Sequence, residues 1–264
     1  MNNYESFFIW AAIYTYIPAF ALLLGAAVFR RDWSRSGFGL TGIAFLSHTV
    51  SMVVRWAAAG HPPVQGNYEN ALLGSWFLVV IYLIGGYKYP RLRPAGIIAG
   101  PLALLILGVG LRTPTLIEPL SAPYQSNWLW VHVGFSWLAF GAFLLAACLG
   151  GYYFFKSKKA PESDLMGLEE IILGFLLFGF VAQAFMIATG AVWAANLWGR
   201  YWSWDPIETW SLVCWLVYGL ILHLRLTMGW RGRRLAALAV LAALTVVISF
   251  WGLGIGQGVH TPLL

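Results

Sequence analysis

Residues 128–155 read WLWVHVGFSWLAFGAFLLAACLGGYYFF, with no Asp, Glu, Lys or Arg anywhere in the run. At 1.5 Å per residue a helix of this length extends about 42 Å, enough to cross a hydrocarbon core of about 30 Å. Lipid offers the backbone no hydrogen-bond partner, so such a run is expected to satisfy its own amides as an α-helix. Working outward, seven more apolar stretches appear at approximately 7–29, 37–59, 70–87, 95–111, 168–193, 208–224 and 235–255. With 60% of 264 residues apolar and only 10% charged, the chain does not have the composition of a soluble globule. The expected fold is all-α: a polytopic membrane helical bundle of about eight transmembrane helices, one domain over residues 1–264 with no soluble insertion.

The formal charge of +6 does not point to nucleic acid, because the basic residues sit in short clusters between apolar runs. Arg30, Arg31 and Arg35 form the first cluster, and Lys88, Arg91 and Arg93 the second. Lys156, Lys158 and Lys159 form the third, and Arg225, Arg231, Arg233 and Arg234 the fourth. All four fall on one side of the implied membrane, whereas Arg112 and Arg200 fall on the other and Arg55 lies inside the second stretch. The positive-inside rule makes the four basic loops cytoplasmic and both termini external. Met1–Glu5 carries no basic n-region, so no cleaved signal peptide is expected. Cys148 and Cys214 both lie in apolar runs and read as inert packing residues.

On the external side by this reading lies Trp198-Gly-Arg-Tyr-Trp-Ser-Trp-Asp-Pro-Ile-Glu-Thr-Trp210. Its Trp and Tyr rings, interleaved with Arg200, Asp205 and Glu208, would make a flat aromatic surface suited to a large planar ligand. An aromatic belt at the membrane boundary accounts for the composition equally well. Asp205-Pro-Ile-Glu208 also reads as an N-cap, a Pro at the first helical position and an acid in the first turn, the start of the seventh helix.

Five histidines accompany this segment. Thr41, His48 and Arg55 are spaced by sevens with Ser51 near the same stripe, so they share a helix face directed into the protein rather than at lipid. His223 lies near the cytoplasmic end of the seventh stretch, His132 at the outer end of the fifth, and His260 in the external tail. His61, in the external loop, reads as a loop residue or a spare ligand. Each alone is unexceptional. As a set they suggest opposed pairs of neutral imidazoles, the usual way to hold haem iron with both axial positions filled.

The run Trp198–Trp210 resembles the tryptophan-rich WWD signature of the haem-handling protein family of cytochrome c maturation. His48-Thr with Arg55-Trp56, Tyr68-Glu69-Asn70, the His132 segment, Leu-His223-Leu-Arg and His260 are similar to further family landmarks. With eight stretches, the chain is most similar to the CcsA/ResC subunits of the System II cytochrome c synthase. The resemblance covers nearly the whole chain and departs from the usual signature at Ile207, where Lys is commoner.

The resemblance implies a haem path. His48 and His223 would take haem b on the cytoplasmic side, and His132 and His260 would ligate it outside. Trp198, Trp202, Trp204 and Asp205 would form the platform, within an external segment of about 196–210. Arg55 and Arg200 are candidates for haem propionates on electrostatic grounds alone. The implied partners are a CcsB/ResB-like subunit and the CXXCH segment of an apocytochrome c, at the bacterial cytoplasmic membrane with the WWD segment periplasmic. No general acid or nucleophile stands out, so enzymatic activity would belong to the whole synthase complex more than to this chain. Three rivals are a CcmC-type protein that delivers haem to a carrier, expected to have six spans, a membrane b-type cytochrome, and a transporter for something else whose aromatic residues merely mark an interface. The second would pair histidines deep in the bundle and give the Trp-rich segment no purpose.

Overall fold

A computed structural model describes residues 1–29, 33–158 and 161–251. The helices are α1 (Asn3–Phe29), α2 (Ser34–Ala59), α3 (Gly66–Lys88), α4 (Gly96–Gly110), α5 (Asn127–Lys156), α6 (Glu162–Trp198), α7 (Pro206–Leu226) and α8 (Arg233–Trp251). Short 3₁₀ stretches at Pro90–Ala95 and Ala122–Tyr124 lead into α4 and α5. No strand occurs among the described residues. Among the described residues 8 helices are long and apolar enough to cross a membrane, the fourth when Pro90–Ala95 is counted with α4. Several run past the apolar stretches that announce them. α6 has 37 residues, because neither Pro nor a turn signal interrupts the acidic residues before its apolar core or the Trp-containing turn after it.

The helices group into two compact units, Met1–Leu120 and Ser121–Leu264. In the first, α1 and α3 each pack on both α2 and α4. The seam between α1 and α2 is regular. The buried positions Glu5, Ile9, Ala12, Tyr16, Ala19 and Leu23 face Gly37, Thr41, Ala44, His48, Ser51 and Arg55, both series advancing by alternate steps of four and three. That is the spacing of antiparallel helices packed knob into hole. The expected sharing of one face by Thr41, His48, Ser51 and Arg55 is therefore realised, and the face is buried. Ser47 Oγ donates to the Phe8 carbonyl at 2.8 Å and Ser51 Oγ to that of Glu5 at 3.3 Å, so hydroxyls supplement a seam that apolar burial cannot drive in lipid.

In the second unit α5 packs on α6 and α8, and α7 packs on the same two helices. Phe143 of α5 stacks on Tyr218 of α7 with ring centroids 3.5 Å apart. A polar thread crosses the interior. Thr245 Oγ1 donates to Cys214 Sγ at 3.4 Å, the thiol to Gln183 Oε1 at 3.6 Å, and Gln183 Nε2 to the Ser211 carbonyl at 2.9 Å. Both cysteines are free and buried. Cys214 thus does more than pack, since it joins hydroxyl and amide across three helices. Toward the other end of this unit, Arg225 pairs with Glu169 at 3.1 Å and Glu170 at 2.8 Å, and the Gly232 amide donates to Glu169 at 2.6 Å.

Candidate functional site

The Trp-rich segment is a strap strung between two helix ends. α6 stops at Trp198 because Gly199 adopts φ 73° and its amide bonds back to the Ala195 carbonyl, a left-handed C-cap that glycine takes without Cβ strain. α7 starts at Pro206 behind the N-cap Asp205, whose Oδ1 accepts from the Ile207 amide at 2.7 Å. Glu208 completes a capping box by reaching back to the Asp205 amide at 3.3 Å. The same carboxylate accepts from the Ser203 amide at 2.7 Å and from Ser203 Oγ at 3.2 Å. One buried glutamate therefore fixes both the helix start and the strap before it. Asp205, expected in the platform, is buried as the N-cap, so its visible task is to hold the strap in place.

The aromatic residues divide by role. Trp204 is 70% exposed and has φ 60°, the left-handed region that a Trp rarely adopts. Its ring meets that of Trp202 edge to face at 5.8 Å. Trp202 is half-buried, and its indole Nε1 is buried without a hydrogen-bond partner among the described residues. Tyr201 and Arg200 are exposed. No ion pair involves Arg200 among the described residues.

Trp198 continues inward. Its ring packs edge to face against Trp193 at 5.0 Å, and Trp193 lies nearly parallel to the His132 ring, with centroids 6.3 Å apart and planes 17° apart. Trp193 is buried, with Nε1 donating to the Pro123 carbonyl at 3.1 Å. The imidazole expected as an external ligand is thus joined to the strap through an indole that sequence reading passed over. Trp193 lies outside the Trp-rich run, one helical turn and a residue before Trp198, which was the available signal. His132 Nδ1 lies 2.8 Å from the Met186 carbonyl of α6. A carbonyl can only accept, so Nδ1 carries the proton and the Nε2 lone pair is the one suited to a metal. His260, the expected opposing ligand, lies outside the described residues.

In the first unit His48 is fully buried, with neither ring nitrogen hydrogen-bonded among the described residues. Tyr16 meets it edge to face at 6.3 Å, and the Leu72 backbone lies beside the ring. An imidazole stripped of water and given no partner carries a desolvation cost that an iron–nitrogen bond would offset. In the second unit His223 is exposed in the last turn of α7, with Nδ1 3.3 Å from Thr227 Oγ1.

Arg55 is placed differently from the expectation that it meets a propionate. It is 1% exposed and engages all three guanidinium nitrogens inside the first unit. Nε donates to Glu69 at 2.6 Å, Nη1 to Glu5 at 3.0 Å and to the Thr115 carbonyl at 3.2 Å, and Nη2 to the Leu116 carbonyl at 2.9 Å. Tyr68 lies under the guanidinium at 4.8 Å and donates its hydroxyl to Glu5 at 3.0 Å. The arrangement makes Arg55, near the end of α2, a clamp on the first turns of α1 and α3, and the propionate role does not match this geometry. His61 is buried with its ring nitrogens 2.9 Å and 3.0 Å from the Pro62 and Glu118 carbonyls, which commits it to the loop rather than to iron.

Residues 1–260 match the family model described as cytochrome C assembly protein. The chain is 31% identical over 235 residues to a Chlamydomonas reinhardtii protein named cytochrome c biogenesis protein CcsA, covering 84% of this chain and 67% of that one. It is 30% identical over 298 residues to the Mesostigma viride protein of the same name, covering 94% and 96%. A Parasynechococcus marenigrum protein, also so named, is 30% identical over 92% of this chain and 93% of its own. Among solved structures, the cytochrome c heme lyase CcmF superposes with a TM-score of 0.74 at 17% identity over 98% of this chain. The chain spans about half of that protein, 47% of its length, and the likeness concerns the fold.

Proposed function

The chain belongs to the cytochrome c assembly family and, within it, to the CcsA proteins of cytochrome c biogenesis; on that premise we propose that it carries haem across the membrane and presents it at the external Trp-rich strap for attachment to apocytochrome c. His48 and His223 take haem b from the cytoplasmic side. His132 and His260 hold the iron outside, Trp198, Trp202 and Trp204 support the porphyrin, and Arg200 meets a propionate. A CXXCH segment docks there with a CcsB/ResB-like subunit. Each cysteine thiol adds across a vinyl group, sulfur to one carbon and hydrogen to the other, so attachment consumes no electrons. The protein contributes position and electrostatics, and the addition itself is haem chemistry.

The observation that carries this reading is the orientation of His132. Its proton is held by the Met186 carbonyl, and its ring lies in one aromatic row with Trp193 and Trp198. A buried carbonyl partner of this kind is what ligating histidines use to fix their tautomer and raise their basicity. His48 supports the inner site by a different argument: it is buried with neither ring nitrogen hydrogen-bonded among the described residues, which leaves both able to meet iron.

The test is spectroscopic. Protein purified in detergent is expected to carry endogenous b-type haem with a six-coordinate, low-spin spectrum. His132→Ala should convert it to a five-coordinate form or lose haem, and free imidazole should restore it in part. Unchanged spectrum and haem content in the His132→Ala/His260→Ala double variant would overturn the external site.

A further inference from the structure

The hydrogen bond that orients His132 depends on an absent side chain. In an α-helix each Cα–Cβ bond tilts toward the N-terminus, so the side chain at one position covers the turn before it, including the carbonyl four residues earlier. Met186 offers the carbonyl, and the residue four positions on is Gly190. A Cβ at Gly190 would lie 2.5 Å from His132 Nδ1 and 2.8 Å from its Cε1, inside any real contact distance. The neighbouring Thr189 hydroxyl lies 3.2 Å from the same carbonyl without blocking the imidazole. Close by, α5 and α6 also meet through Phe135 stacked on Phe185 at 5.1 Å.

We propose that Gly190 is a positioning residue for the external haem ligand: by leaving the Met186 carbonyl uncovered it lets His132 dock edgewise on α6, which fixes the proton on Nδ1 and leaves Nε2 as the nitrogen suited to iron. The inference rests on the reading of His132 as an iron ligand. A methyl group at position 190 displaces the ring from the carbonyl. The imidazole then swings away, loses its fixed tautomer, and no longer presents Nε2 where iron would meet it. The glycine is thus kept for a ligand that lies on another helix, against the helix propensity that favours alanine at the same position.

The experiment compares Gly190→Ala with Gly174→Ala, a substitution on the same helix whose added Cβ meets nothing within 4 Å. Both variants gain helix propensity, so a general effect of removing glycine would appear in both. Gly190→Ala is expected to lose the six-coordinate low-spin spectrum as His132→Ala does and to regain it on addition of imidazole. Gly174→Ala is expected to keep the parental spectrum. If His132→Ala changes the spectrum and Gly190→Ala does not, the positioning role is wrong while the ligand assignment stands. If His132→Ala itself changes nothing, the ligand assignment has failed first. Should Gly190→Ala not accumulate, the double variant His132→Gly/Gly190→Ala removes the clashing ring and is expected to restore accumulation. Equal loss in that double variant would overturn the steric argument.

Discussion

Replacing Arg55 with Met separates two roles that an arginine inside a membrane helix can have. In the structure it serves the fold: its nitrogens reach two buried carboxylates and two backbone carbonyls. Arg55→Met keeps most of the side-chain volume but strands Glu5 and Glu69, whose side chains are 0% and 4% exposed. Removing one partner of a buried ion pair costs about 3–5 kcal/mol. Glu69 retains the Gln65 amide at 2.6 Å and Glu5 retains the Tyr68 hydroxyl at 3.0 Å, which favours the lower half of that range. A loss of about 3–4 kcal/mol corresponds to a fall of roughly 6–16 °C in the unfolding midpoint of a chain of this size. Glu5→Gln should behave oppositely. It keeps an acceptor for Arg55 and leaves one carboxylate for one guanidinium, so the midpoint should move by no more than about 3 °C, a change of about 1 kcal/mol. Arg55→Lys should fall between, because a single ammonium cannot span both carboxylates and both carbonyls. The assay is thermal unfolding in detergent with haem content measured in parallel. If Arg55→Met left the midpoint unchanged and removed haem, the clamp would be refuted and the propionate role restored.

Two further substitutions test the site through stability. His48→Leu removes two buried nitrogens that have no hydrogen-bond partner among the described residues, so the haem-free protein should become more stable by about 1–3 kcal/mol while less haem reaches the external side; a lower midpoint would show that His48 holds the fold together. Trp204→Gly relieves a left-handed backbone worth about 1–2 kcal/mol but also loosens the unfolded chain, so the midpoint should stay within about 3 °C while the ratio of haem to protein falls; a large drop would show that this exposed ring is structural.

The fold was legible because lipid leaves the backbone little choice. The uncharged run at 128–155 and its seven counterparts specify spanning helices by length and composition, and the family match agrees with that reading. The start of α7 was legible for a local reason: Asp205 accepts from the Ile207 amide, Glu208 accepts from the Asp205 amide, and Pro206 has no amide to satisfy, all within four residues. The polar face of α2 was legible because the sevenfold spacing of Thr41, His48 and Arg55 exposes a face to inspection. The helix bounds were less so, since apolar windows cannot register the charged first turn of α6 or the polar ends of α1 and α3.

What stayed hidden was the partner of each polar side chain. Arg55 reads from its charge and depth as a residue waiting for a ligand, because an intramembrane cation is either functional or paired. Its partners lie at positions 5, 69, 115 and 116, distant in sequence and individually ordinary. The same limit applied at His132. Its carbonyl partner belongs to the backbone of Met186, which no side-chain motif announces, and its neighbour Gly190 contributes by lacking atoms. A motif records residues that touch a ligand, whereas the residues that aim those groups leave only a small side chain or a paired charge elsewhere in the chain. Arg200 and Arg55 show the distinction within one residue type. Arg55 is spent on carboxylates of its own chain. Arg200, exposed on the strap and without an ion pair among the described residues, retains the charge that an incoming anion would need.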